Sequence, residues 1–397
     1  MSYHPIRHRE HMQKIWPFSL NVLLFAGIAF VMPFLVLYYQ SLGLTGTEIG
    51  LLMGLTPLIN VFGAPLWTGL ADATRRHRLL MGIAVFVGAI IIFLVPFSRE
   101  ISYVVLLMVL FSIFFAPVLS FADSGTMFML AGQKEMYGRI RLGGTIGFGV
   151  ASLIAGMLIQ NYGLKVAFFG GALLFFGSFV VSQKLQYASL QGVEAPRGGI
   201  RILLSNPRWV LFLVLAFAGG MAMAVMNNYY FSYMKELGAQ ENTMGLALAI
   251  GTISEVPIFF LGNHLLRKFG VRSLLTLSMV VTGLRLVAMS AAHTPELSLA
   301  IQGINGLTFA AMWLAGVSYA DENAPTGLNA TAQGLFGAMV FGFGSAVGGF
   351  LGGLLLSGLG GRGMYFIFGV VVLAVVAIVA LLESRLSAKG HTLPNDI

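Results

Sequence analysis

Residues 243–292 read TMGLALAIGTISEVPIFFLGNHLLRKFGVRSLLTLSMVVTGLRLVAMSAA. Two apolar stretches of about 20 residues, each long enough to cross about 30 Å of hydrocarbon as a helix, flank a short basic loop. One carries Glu255 and the other Arg285. The first stretch enters the bilayer from outside near Thr243 and the second from inside near Ser273, so both ionisable groups lie about 18 Å deep at 1.5 Å per residue. An acid and a guanidinium at equal depth on neighbouring helices can pair. A lone charge at that depth would be costly, so such groups either lock helices together or serve transport.

The composition agrees with a membrane setting. Of 397 residues, 57% are hydrophobic and only 10% charged, and the mean hydropathy is +0.86. A water-soluble globule carries about a quarter charged residues. Polar breaks divide the chain into twelve spans. The first six run near 16–40, 48–70, 78–97, 101–124, 139–160 and 165–185. The second six run near 208–232, 243–265, 273–292, 297–320, 330–357 and 363–382. The predicted fold is therefore an all-α integral membrane protein, with the first span retained rather than cleaved as a signal.

Placing both termini in the cytoplasm puts the clusters Arg75-Arg76-Arg78, Arg139-Arg141 and Arg267-Lys268-Arg272 inside, with Lys134, Arg197 and Lys389. Only Arg99, Lys165, Lys235 and Arg362 fall outside. This asymmetry follows the positive-inside rule and accounts for the net charge of +8 without nucleic acid as a partner. The expected location is the inner cell membrane. With no cysteine there is no disulfide and no thiolate metal site. No cofactor is implied.

The chain repeats itself. Leu42-Gly43 and Gly50-Leu51 recur as Leu237-Gly238 and Gly245-Leu246, and Gly147-Phe148-Gly149 recurs as Gly342-Phe343-Gly344, each 195 positions later. Ala122-Asp123 returns as Ala320-Asp321 at a shift of 198. The expectation is two six-helix bundles, 1–185 and 208–397, joined by a Gly-, Pro- and Arg-bearing cytoplasmic linker at 186–207. Parallel halves of this kind imply a midplane site at their interface and transport by rocking one half against the other. One chain then contains a whole transporter, expected to work as a monomer.

Asp123 near the inner end of span 4 and Arg139 or Arg141 at the start of span 5 form a candidate second acid–base pair. Shifting Glu255 back by 195 lands on Asn60, another mid-span polar group. Pro57, Pro65, Pro117 and Pro257 are expected to interrupt spans 2, 4 and 8. Tyr38-Tyr39 and Tyr229-Tyr230 read as interfacial belt residues.

The loop Pro65-Leu66-Trp67-Thr68-Gly69-Leu70-Ala71-Asp72-Ala73-Thr74-Arg75-Arg76-His77-Arg78 resembles the loop signature of the major facilitator superfamily, with Thr68 and Arg75 where glycines are usual. A degenerate copy, Gly262 to Arg272, lacks the acid. The resemblance implies that Asp72 and Arg76 latch the cytoplasmic side. The segment Tyr137-Gly138-Arg139-Ile140-Arg141-Leu142-Gly143-Gly144-Thr145-Ile146-Gly147 looks like the start of span 5 in the lactose permease, nucleoside-proton symporter and phenylpropionate permease group. Asp123, eighteen residues before Arg141, and Arg285 match group positions. Ala330-Thr331-Ala332-Gln333-Gly334 points to the phenylpropionate branch.

Glu255 lies about one turn beyond the group's glutamate, and span 10 offers Asn305 and Thr308 where relatives carry a histidine and an acid. The resemblance implies substrate contacts at Asp123, Arg141 and Arg285; with Asn60 from the repeat and Asn305 from span 10, these are the candidate substrate contacts, and proton coupling is expected through Asp123, Glu255 and Arg285. The expected function is proton-coupled symport of an aromatic carboxylate, nucleoside or sugar. The competing readings are efflux antiport, which usually shows a Gly-Pro motif absent from span 5, and a non-transporting sensor. An intramembrane enzyme would need a nucleophile or metal ligands in the spans, and no cysteine, mid-span histidine or close acid pair is present.

Overall fold

A computed structural model describes residues 5–130, 136–187, 199–325 and 328–388. Lys134, Arg197, Lys389 and linker positions 188–198 lie outside the described residues. Among the described residues there is no strand, and eleven helices are long and apolar enough to cross a membrane. They are α1 (Lys14–Ser41), α2 (Gly46–Thr74), α3 (His77–Phe97), α4 (Ile101–Met129), α5 (Arg139–Tyr162), α6 (Lys165–Ser182), α7 (Pro207–Glu236), α8 (Glu241–Phe260), α9 (Val271–Ser290), α10 (Pro295–Glu322) and Thr331–Leu386. The last runs for 56 residues but turns at Gly360 (φ 67°, ψ 179°), so it carries two spans, α11 before the turn and α12 after it. Twelve spans result, within a few residues of those read from the polar breaks.

The sequence repeat has a structural counterpart. Gly43 ends the first helix at φ 85° and Gly238 ends α7 at φ 86°. A side chain disfavours this left-handed conformation, which explains the recurrence of Leu-Gly at both helix ends.

The chain divides into two compact units, Met1–Gly192 with Tyr230–Thr252, and Val193–Tyr229 with Ile253–Ile397. In the first unit α1 packs along α5 and α6, and α3 lies against α4 and α6. Phe34 meets Phe231 edge-on at 4.8 Å, Gln40 Nε2 donates to Ser232 Oγ at 2.7 Å, and Ser152 Oγ donates to the Gly245 carbonyl at 3.3 Å. In the second unit α9 packs against the α11–α12 helix and α10.

Two expectations are corrected. Pro57 and Pro65 do not break α2, which runs unbroken from Gly46 to Thr74. Pro117 does separate two segments of α4, and α8 stops at Phe260, three residues after Pro257, before a short helix Gly262–Phe269. The tyrosine pairs do not form a lipid-facing belt. Tyr38, Tyr39, Tyr229 and Tyr230 are all buried in the protein, and the Tyr38 and Tyr229 hydroxyls donate to the carbonyls of Val95 and Gly349. Those acceptors let each phenol stay inside without a stranded hydroxyl.

Candidate functional site

Among the described residues, each unit contains a polar centre inside its helices. In the second unit, α8 supplies Glu255, α9 Arg285, and α10 Gln302, Asn305 and Thr308. Asn305 stands between the acid and the base. Its Nδ2 donates to Glu255 Oε1 at 2.7 Å, and its Oδ1 accepts from Arg285 Nη1 at 2.7 Å. The same Nη1 donates to Thr308 Oγ1 at 2.8 Å, and Nη2 donates to Gln302 Oε1. Thr308 in turn donates to the Asn305 carbonyl at 2.7 Å. Arg285 is 4% exposed and Gln302 5%, so the guanidinium is held inside by neutral oxygens, while Glu255 remains part-exposed.

The backbone makes this possible. Gly306 N–H donates to Ser254 Oγ at 2.9 Å, and a Cβ at position 306 would fall 2.0 Å from the Ser254 carbonyl oxygen. Only a glycine lets α10 touch α8 here, which brings Asn305 against Glu255. Directly after Asn305, α10 contains a π-helical turn, Gly306–Ala310, a distortion often found at functional sites.

In the first unit, Asp123 on α4 accepts a hydrogen bond from the Tyr137 hydroxyl at 2.8 Å. That hydroxyl also lies beside the Arg141 guanidinium, which sits 4.1 Å from the centre of the Phe25 ring on α1. The expected acid–base couple therefore meets through a phenol, as Glu255 and Arg285 meet through an amide. Arg139 points to the exposed side. Asn60, midway along α2, has a buried Oδ1 that takes no hydrogen bond in the structure.

At the expected cytoplasmic latch, the local partner of Asp72 is His77. Arg75 closes α2 in the left-handed region (φ 56°), and the turn brings His77 back under the acid. His77 Nε2 and Asp72 Oδ1 are 2.8 Å apart. The imidazole is buried, stacks on Tyr187 at 5.7 Å and meets Phe121 edge-on at 6.2 Å. Arg76 is exposed.

Sequence reasoning assigned no role to Gln302, Tyr137, Ser254 or His77. Gln302 was within reach: it lies three residues before Asn305, hence on the same helical face. No spacing rule marks the other three.

Comparisons with known proteins agree with this architecture. The sequence profile of the MFS_1 like family matches residues 19–368. The chain is 26% identical over 371 residues to the maltose permease of Geobacillus stearothermophilus, covering 93% of this chain and 94% of that protein. It is 25% identical over 366 residues to the probable 3-phenylpropionic acid transporter of Escherichia coli strain K12, covering 88% and 92%. A crystal structure of a mutant of the nucleoside transporter NupG superposes with a TM-score of 0.85 at 20% identity, covering 93% of this chain and 99% of that one. With a matching profile across most of its length, this chain belongs to the MFS_1 like family, and so to the major facilitator superfamily of multi-pass membrane transporters.

Proposed function

We propose that this protein is a secondary active transporter that moves a small organic solute together with a proton by alternating access. The observation that carries the reading is the Glu255–Asn305–Arg285 chain inside the second unit. A carboxylate whose counter-charge is one neutral side chain away can take a proton without leaving a bare arginine beside it, because Asn305, Thr308 and Gln302 still hold Arg285. Protonation would free the Asn305 amide, coupling proton occupancy to the shape of the site. Asp123, Tyr137 and Arg141 form the corresponding triad of the other half.

In this reading the chain is two bundles, 1–185 and 208–397, joined at 186–207, with both termini cytoplasmic in the inner membrane, functional as a monomer. The test is uptake into proteoliposomes under an imposed pH gradient. Glu255→Gln should lose gradient-driven accumulation, and accumulation at the wild-type level would remove Glu255 from the coupling step.

A further inference from the structure

The repeat carries a charge reversal at the turns that close α2 and α8. At the shift of 195, Arg75 (φ 56°) corresponds to Gly270 (φ 75°), and both take a positive φ. The two turns place different side chains. Where the first holds Asp72 against His77 at 2.8 Å, the second has Arg267 and Arg272. Arg272 donates through Nε to Glu383 of α12 at 3.1 Å. Among the described residues no carboxylate pairs with Arg267 or Lys268.

The short helix Gly262–Phe269 sorts its groups by face. A Cβ at Gly262 would meet the Leu314 side chain of α10 at 2.9 Å, so that side lies against α10. At about 100° per residue, Leu265, Leu266 and Phe269 fall within about 60° of Gly262, whereas His264, Arg267 and Lys268 fall about 120–160° away. Burial agrees, since Leu265 and Leu266 are half-buried and the three bases are exposed. The bases therefore share one outward face.

Depth decides what that face meets. Counted from Thr243, where α8 is expected to enter, about 20 residues cross the hydrocarbon, which puts Phe260 just inside it and Arg267 and Lys268 level with the headgroups. Phe260 is 86% exposed and Leu261 46%. We propose that this turn binds an anionic phospholipid, with its phosphate on Arg267 and Lys268 and its acyl chains along Phe260. The phosphate supplies the negative charge that Asp72 supplies in the first turn, and the chains cover a ring that a soluble acidic partner would leave wet. This lipid is not the transported solute, and its binding needs no proton coupling.

The chain contains no cysteine, so Asn263→Cys carries a single environment-sensitive fluorophore, one helical turn from Arg267. The labelled full-length protein in neutral detergent is titrated with phosphatidylglycerol and, separately, with phosphatidylcholine. Phosphatidylglycerol should give a saturable response that weakens as salt rises, and phosphatidylcholine should give none. Arg267→Gln combined with Lys268→Gln should weaken binding about 30-fold, the loss expected for two surface cations. The charge-preserving exchange of Arg267→Lys with Lys268→Arg should bind like the native protein. Arg75→Gln with Arg76→Gln, at the turn that has its own acid, should leave the response in place.

An equal response to phosphatidylcholine, an unchanged affinity in the Arg267 and Lys268 glutamine pair, or the same loss from the Arg75 and Arg76 pair overturns the proposal. So does an equally strong response to glycerol phosphate or to soluble polyglutamate, which would assign the face to a free anion or an acidic protein. Should the glutamine pair fail to fold, Lys268→Gln alone decides, with about fivefold weaker binding expected.

Discussion

Replacing Arg285 by methionine removes a charge while nearly keeping side-chain length, and the structure sets the size of the effect. Asn305 Oδ1, Thr308 Oγ1 and Gln302 Oε1 lose their donor, and Glu255 loses the positive charge across Asn305. Hydrogen bonds to charged groups contribute about 1.5–3 kcal/mol each. These losses do not add, because the two amides can turn and Thr308 keeps its bond to the Asn305 carbonyl. Removing one member of a buried ion pair costs about 3–5 kcal/mol, and the same range applies here. At about 2–4 °C per kcal/mol, the thermal midpoint should fall by roughly 6–20 °C.

Arg285→Lys keeps the charge, but one ammonium cannot reach acceptors on both sides of the planar fork. Its loss should be about half as large, close to one charged hydrogen bond. Adding Glu255→Gln to Arg285→Met should recover about 1–2 kcal/mol, since neighbours in one network couple. Thermal unfolding in lipid nanodiscs, followed by tryptophan fluorescence, measures all three variants. A methionine variant that unfolds within about 2 °C of the native protein, against the change expected from a buried pair, refutes the view that this network holds α8, α9 and α10 together.

Two further outcomes are expected. Gly306→Val forces α10 away from α8, where even a Cβ would meet the Ser254 carbonyl oxygen at 2.0 Å; overpacking of this kind costs about 1–3 kcal/mol or more, read as a lower midpoint together with weaker solute binding. At the cytoplasmic turn, His77→Ala strips a buried ring from Tyr187 and Phe121 and should cost more than Asp72→Asn. The Asp72 side chain is 57% exposed, so its bond is worth under about 1 kcal/mol. Arg76→Ala should leave the midpoint unchanged.

Depth along a helix could be read from the sequence because hydrocarbon thickness fixes span length. That sufficed for the twelve spans and for placing Glu255 near Arg285. Orientation around the helix axis could not be read, because spans such as α1 and α7 are apolar on every face. The tyrosine pairs were therefore assigned to the lipid boundary when they turn inward. The bridging roles were hidden for another reason: Asn305, singled out only by its place in span 10, and Tyr137 bring no charge, so no rule about buried ionisable groups marks them as links. That His77 sits against Asp72 could not be read either, because a single left-handed residue, Arg75, redirects the chain there.

The π-helical turn in α10 also sets angular phase. Each α-helical residue rotates the chain by about 100°, so over the fourteen positions from Asn305 to Tyr319 a regular helix would return to within about 40° of its starting azimuth. Absorbing one extra residue at Gly306–Ala310 swings everything beyond it by about a further 100°. Tyr319 is thereby free to stack on Phe212 of α7 at 4.4 Å, while Asn305 faces α8 and α9. One helix thus serves two different neighbours at its two ends.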